Sequence, residues 1–388
     1  MNAKEENAMK NIWKWCKSEI VLCLAILLAI GSSFFVKPDR MYLEYIDFRT
    51  LAILFCLMAV MVGLQKVGLF RYVAERLLGK VTHIRGIVFV LMALCFFSSM
   101  LITNDVALIT FVPFTFIVLQ LVLEERASEL VVPVVVMQTI AANLGSMLTP
   151  IGNPQNLYLY GKVDLNFGEF MYLMLPYTVV AFLLLTSWCL LFVYQGEKKF
   201  SLQFHESSSL RGRGKELFLY GILFAVCILT VADIIPYIAT LAVVLLVILL
   251  VDRKILKEVD YSLLFTFVGL FVFIGNMGRV PAFSELLQRV IGGNELLTAV
   301  ISSQFMSNVP AALLLSGFTE KFEQLIIGTN LGGLGTLIAS MASLISFKYV
   351  GKDYPKLRGK YFWVFTVSNI LFLIVLFVLA KLLFIKIS

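Results

Sequence analysis

The chain has 388 residues, of which 60% are hydrophobic, 13% aromatic and only 15% charged. A soluble domain is about half apolar and about a quarter charged, so this composition excludes a soluble globular protein and implies a polytopic membrane protein. The net charge of +7 falls in short loops, where the positive-inside bias puts it, so it implies a membrane topology and no nucleic-acid partner.

The six cysteines are scattered, with no CxxC, and His83 and His205 are the two histidines. A disulfide framework, a zinc site or another metal cofactor is therefore not expected, a bound sodium ion excepted. Lys4, Lys10, Lys14 and Lys17 precede the first apolar run, 20–36, and no small-residue cleavage site follows it. That pattern predicts a retained helix with its N-terminus in the cytoplasm. The second span, 51–68, returns inward. Residues 70–79 place apolar side chains at helical spacing opposite Arg71, Glu75 and Arg76, which predicts an amphipathic helix at the interface.

Residues 87–119 are too long for one span and are interrupted by Thr103-Asn104-Asp105. Two full spans and a re-entrant hairpin over 86–122 both fit. The next apolar segment, 130–160, is uniformly greasy except for Asn143-Leu144-Gly145-Ser146-Met147-Leu148-Thr149-Pro150-Ile151-Gly152-Asn153-Pro154-Gln155-Asn156. Pro150 and Pro154 each remove a backbone donor and crowd the carbonyl four residues back, so the helix should break there. Freed backbone groups at bilayer depth are tolerated only inside protein or along a wet cavity. Such a break, dense in small polar side chains, predicts a binding site. Residues 170–194 cross back, and 196–215, with Ser207-Ser208-Ser209, Arg211, Arg213 and Lys215, form a cytoplasmic linker.

The second half starts with a span at 217–232 and a return at 238–251 toward Arg253, Lys254 and Lys257. A span at 263–277, an amphipathic helix at 280–291, a hairpin at 296–318 around Ser307-Asn308-Val309-Pro310 and a small-residue-rich segment at 323–350 follow. Residues 361–385 then leave the C-terminus outside. The expected architecture is all-α, with about nine spans and two hairpins.

The order span, surface helix, hairpin, broken span, final span occurs twice. Asn143-Leu144-Gly145 recurs as Asn330-Leu331-Gly332, and each hairpin carries a central asparagine, Asn104 or Asn308. One unmatched span, 217–232, separates a first repeat at 1–195 from a second within 216–388. An odd extra crossing turns the second copy upside down. Two inverted repeats with paired broken helices are an architecture of secondary transporters, with the site at the repeat interface.

On Thr103-Asn104-Asp105, Thr149 to Asn156, Ser307-Asn308 and the segment from Asn330 to Ser340, the chain resembles the ion transporter superfamily. That group includes sodium-coupled dicarboxylate symporters, citrate transporters, arsenite permeases and sodium/proton antiporters of the NhaD type. Its dicarboxylate branch carries Ser-Asn-Thr at each hairpin tip, binding sodium and substrate carboxylate. Here the tips read Thr-Asn-Asp and Ser-Asn-Val, and the Asn-Asp pair is more similar to the arsenite permease pattern.

Asp105 is the acid at the centre of an apolar run, where a carboxylate costs about 2.5–3.5 kcal/mol on insertion scales and usually serves a function. Burial disfavours its charged form and a bound cation favours it, so it can exchange a proton for sodium. An acid capping the following helix is the structural alternative. The expected coupling-cation ligands are Asn104, Asp105, Asn143, Thr149, Gly152, Asn308 and Asn330, with sodium at Asn104, Asp105 and Thr149. The expected substrate contacts are Thr103, Asn104, Asn153, Gln155, Asn156, Ser307, Asn308, Thr336 and Ser340. No Lys, Arg or His lies in this core, so an anion would be held by helix N-termini and hydroxyl or amide donors.

The reading is a cation-coupled secondary transporter of a small anion or oxyacid in the plasma membrane, driven by sodium or protons. Arsenite efflux or sodium/proton antiport in the same fold is the alternative. A channel should show a continuous polar stripe or charged ring, which is lacking, and no HExxH or Ser/His pairing suggests an enzyme. A homodimer is an assembly this reading admits. Because the second copy has lost both prolines, the first helix is expected to be the more sharply broken.

Overall fold

The computed structural model describes residues 19–193 and 213–387. The lysine-rich N-terminus and most of the expected linker 196–215 lie outside the described residues, as do Cys16 and His205. Among the described residues the regular structure is helical, with eighteen α-helices, seven of them long and apolar enough to cross a membrane. The chain is an all-α polytopic membrane protein.

The first half comprises α1 (Ile20–Ser33), α2 (Met41–Glu44), α3 (Phe48–Val67), α4 (Leu69–Leu78), α5 (Ile84–Ser98), α6 (Asn104–Leu123), α7 (Ala127–Gly145), α8 (Pro154–Tyr160) and α9 (Phe167–Phe192). Two spans follow, α10 (Gly214–Val231) and α11 (Tyr237–Val251). The second half comprises α12 (Tyr261–Gly278), α13 (Pro281–Ile291), α14 (Glu295–Met306), α15 (Asn308–Ser316), α16 (Phe322–Gly332), α17 (Met341–Asp353) and α18 (Arg358–Ile387).

Local chemistry sets these boundaries. Asp47 caps α3 by accepting from Thr50 N at 2.9 Å, and Gly68, at φ +89°, ends it and turns the chain into the amphipathic α4. Asn166 and Glu169 form a reciprocal capping box at the start of α9. Asp260 caps α12 through Leu263 N at 3.0 Å.

The first broken helix is the centre of the molecule. The span Ala127–Leu148 is 89% buried in protein, against 17% for Pro355–Leu383, so the small and polar residues of α7 face neighbours and α18 faces lipid. Helix α7 packs against α5, α6, α9, α17 and α18, while α16 packs against α14, α15 and α8. The packing is reciprocal: α6 of the first hairpin lies on α17, and α15 of the second lies on α8.

The two hairpins differ in depth. Helix α14 has 12 residues and α15 has 9. At about 1.5 Å per residue neither reaches across a hydrocarbon core of about 30 Å. Helix α6 has 20 residues, enough to do so. The second hairpin is therefore shorter than the first, as their expected bounds of 296–318 and 86–122 imply.

Candidate functional site

Each broken helix opens over eight residues, 146 to 153 and 333 to 340. In the first, α7 tightens into a 3-10 turn at Ser146–Leu148, and Thr149 and Asn153 are extended. Pro154 then occupies the first position of α8, where its missing N–H costs nothing. Gly152 is required by close approach, since a Cβ there would run into the Ser146 carbonyl. The carbonyls of Thr149, Met147 and Ser146 face Asn156 Nδ2 at 3.2, 3.4 and 3.5 Å.

The second break needs no proline. Gly335 sits at φ +104°, and the Gln304 side chain fills the gap. Gln304 Nε2 donates to the Gly332 and Leu334 carbonyls, both at 2.9 Å, and its Oε1 accepts from Thr336 N at 2.9 Å. The expectation that the first helix would be the more sharply broken is not met in length. A left-handed glycine and an inserted amide open the second one equally far.

Asparagine side chains tie the two breaks together. Asn143 Oδ1 accepts from Asn104 Nδ2 at 2.9 Å and from Ser340 Oγ at 3.0 Å, and its Nδ2 faces Ser343 Oγ at 3.4 Å. Asn330 Oδ1 accepts from Asn153 Nδ2 at 3.3 Å, and its Nδ2 donates to Asn156 Oδ1 at 2.6 Å. Asn153 and Asn156 stand as far beyond Asn143 as Ser340 and Ser343 stand beyond Asn330. Each asparagine thus reaches across to the positions that follow its counterpart.

The hairpin tips dock by matching bonds. Asn104 N donates to Gly152 O at 3.3 Å, and Asn308 N to Ala339 O at 3.0 Å. Thr149 Oγ1 donates to Met100 O, and Thr336 Oγ1 to Gln304 O at 3.0 Å. At the second tip a single residue, Ser307, makes the turn at φ +74°, a backbone region favouring glycine. These contacts bring the N-termini of α6, α8, α15 and α17 to one hydrogen-bonded centre. No Lys, Arg or His is present in 99–105, 143–156, 303–310 or 329–343.

Three expected site residues line one cavity of about 170 Å³: Thr103, Asp105 and Asn153. Its wall is the apolar face of α3, and Gln65, Glu258 and Asp260 line it as well. Asp105 Oδ1, Asn153 Oδ1 and both polar atoms of Gln155 are buried without a protein partner. Beside this cavity, Lys66 Nζ pairs with Glu258 at 2.8 Å and Asp252 at 3.3 Å. The Lys254 backbone N–H and then Lys66 hold the Asp252 carboxyl below the usual carboxylate range, so it is charged and retains Lys66.

The remaining expected residues separate into groups. Asn104, Asn143, Ser340 and Asn153, Asn156, Asn330 form the two arms of the network. Ser307 and Asn308 abut Ala339, with Ser307 Oγ 3.4 Å from Asn308 Oδ1. Gly152 and Thr149 contribute carbonyls that accept from Asn104 and Asn156. Thr336 is exposed and bonded to Gln304, outside the network. Gln304 itself escaped the sequence reading, because a lone glutamine in an apolar helix carries no motif. So did a buried cluster on α7, where Thr139 Oγ1 meets Ser346 Oγ at 2.8 Å and Gln138 Nε2 meets Thr115 Oγ1 at 2.8 Å.

The description "Citrate transporter" (CitMHS) matches residues 11–320, about four-fifths of the chain and all of the first broken helix and both hairpins. The chain belongs to the CitMHS citrate transporter family. It is 31% identical over 332 residues to the inner membrane protein YbiR of Escherichia coli, covering 84% of this chain and 86% of that protein. It is 30% identical over 352 residues to an uncharacterized transporter of Methanocaldococcus jannaschii, covering 89% and 92%. The silicon efflux transporter LSI3 of rice is 30% identical over 141 residues, 36% of this chain and 28% of that protein. The expected membership of the ion transporter group is borne out, and this CitMHS chain carries a transporter fold.

Proposed function

We propose that the chain is a cation-coupled secondary transporter of a small anion or oxyacid, built as two inverted repeats in the plasma membrane. The observation that carries this reading is the meeting of four helix N-termini across two helix breaks, in a centre free of cationic side chains. Helix N-termini present unpaired N–H groups and a partial positive charge, which suits an anion or a polar oxyacid. The cargo would lie between the hairpin tips, against Gln155, Asn156, Ser307, Asn308 and Ser340.

Asp105 supports coupling. It lines a cavity beside the first tip, its Oδ1 has no donor, and Asn153 Oδ1 lines the same cavity without a donor. The oxygens of Asn104, Asn143 and Asn330 already accept hydrogen bonds. The cation reading therefore narrows to Asp105 and Asn153, with sodium or a proton neutralising the carboxylate. The N-terminus would be cytoplasmic and the C-terminus outside, from the lysines and arginines near α4, α11 and α17. The linker at 196–215 would join the repeats on the inner side.

A second reading is efflux of a neutral oxyacid, or sodium/proton exchange. The specific observation favouring it is an ionisable Asp105, where a neutral residue would suffice to bind sodium. A rice relative named a silicon efflux transporter fits it as well.

The test is a thermal-shift screen of the purified chain against citrate, succinate, arsenite, phosphate and sulfate, each with and without sodium. At least one solute is expected to raise Tm, with a larger rise in sodium or at a second pH. No stabilisation by any of them, or equal stabilisation of an Asn330→Ala/Asn156→Ala variant, would overturn the reading.

A further inference from the structure

The cavity beside Asp105 has a one-sided charge pattern. Among the described residues its polar lining is Gln65, Thr103, Asp105, Asn153, Glu258 and Asp260, with three carboxylates and no basic side chain. Three basic residues of this end, Lys66, Arg213 and Lys254, line a separate cleft of about 510 Å³ together with the carboxylates Glu216 and Asp252. Lys66 is held there by Glu258 and Asp252, although it directly follows Gln65. The neighbouring cleft thus mixes cations with carboxylates, whereas the polar lining of the cavity beside Asp105 is acidic or neutral.

The inner end of the cavity lacks cation-like partners, not acceptors. Asn153 is 3% exposed, lines the cavity, and has an Oδ1 without a donor. Its amide orientation follows from the network. Asn330 Nδ2 donates to the Ile326 carbonyl at 2.7 Å, so the other Asn330 atom is the oxygen that Asn153 Nδ2 meets. The Asn153 atom left over is therefore an oxygen, like the unpartnered Oδ1 of Asp105. Two buried oxygens without donors, reached past Asp260 and the Lys66-paired Glu258, call for a positive charge.

We infer that this cavity is a cation-selective vestibule, through which a small monovalent cation reaches Asp105 from the basic, cytoplasmic end between Glu258 and Asp260. The inference rests on the coupling role proposed for Asp105 and adds its route of supply. The apolar wall of α3 confines the field of the carboxylates, which raises local cation concentration and excludes anions. The anionic cargo would then need another path, so cation and cargo enter the centre from different sides of the first hairpin tip. Helix α3 also packs on α10 and α11, so the vestibule wall belongs to the scaffold and its inner end to the hairpin and break.

The test uses the full chain with Val62→Cys, on the α3 wall, treated in detergent with a trimethylammonium or a sulfonate methanethiosulfonate reagent. Peptide mass spectrometry reads modification at position 62, so the native cysteines stay in place. After correction for reaction with free cysteine, the cationic reagent is expected to win by about tenfold, within the range for charged clefts. Asp260→Asn keeps an acceptor for the α12 cap and is expected to cut that preference at least about threefold. Met58→Cys on the same wall repeats the readout should Val62→Cys fail to express. No reaction at either position, a preference under about threefold, or one that Asp260→Asn leaves intact would overturn the vestibule. The coupling reading fails separately: sodium-dependent stabilisation that survives Asp105→Asn removes the coupling role while the charge selectivity at position 62 stands.

Discussion

Asn330 donates its side-chain amide to Asn156 Oδ1 at 2.6 Å, joining the second helix break directly to the first. On the other arm Asn143 receives Ser340 Oγ at 3.0 Å. The two breaks are therefore one hydrogen-bonded unit, and movement of one break against the other must trade these bonds for bonds to cargo or water. A buried amide left without its partner costs about 1–3 kcal/mol, which is enough to set a barrier and small enough for a bound solute to repay.

The first prediction concerns that pair. Asn330→Ala and Asn156→Ala should each lower stability by about 1–3 kcal/mol, because each orphans a buried partner. The double variant should cost less than the sum, with a coupling of about 0.5–3 kcal/mol. Thermal melts of the four proteins complete the cycle, and strict additivity would remove the bond as an energetic link.

Gln155 should behave in the opposite way. It is buried with neither polar atom bonded to protein. Gln155→Leu should leave stability unchanged or raise it by about 1 kcal/mol, since it removes an unsatisfied group. Solute-dependent stabilisation should fall sharply in the same variant. A loss of stability with intact solute binding would make Gln155 structural.

Ser307 holds φ +74° at the second hairpin tip. Such a conformation costs a non-glycine residue about 1–3 kcal/mol. Ser307→Gly should relieve part of this and raise Tm, while Ser307→Val should lower it. Weaker solute binding in the stabilised glycine variant would show that the strain and the hydroxyl serve the site.

Glycines separate by environment. Gly152→Ala drives a methyl into the Ser146 carbonyl and should cost about 1–3 kcal/mol while loosening the Asn104 N to Gly152 O bond. Gly278→Ala meets nothing within 4 Å near the end of α12 and should be neutral or stabilising by up to about 1 kcal/mol. Melting temperatures of the two variants, measured side by side, check the contrast.

Much of this was legible in the sequence, for identifiable reasons. Pro150 and Pro154 announced a helix break, the recurrence of Asn143 at Asn330 announced its partner, and the arginines of α4 marked an amphipathic helix. Helix spacing and turn chemistry are local, so the elements fall within a few residues of their expected bounds. What was not legible depends on contacts distant in sequence. Gln304 gives no local signal, yet it fills the break that no proline makes. Thr336 has the right chemistry for a site and faces outward, because the left-handed Gly335 turns the chain before it. The shortness of α14 and α15, by contrast, was legible, since the second hairpin's expected bounds, 296–318, are shorter than the first's, 86–122.

The most direct test of the account compares the intact chain with Asp105→Asn in proteoliposomes, using the solute that stabilises best in the thermal screen. Initial rates are measured with and without an imposed sodium gradient and an imposed pH gradient. The account predicts that one gradient accelerates transport by the intact chain, and that Asp105→Asn inserts normally but no longer responds to either. An Asp105→Asn protein that keeps the same gradient dependence would contradict it.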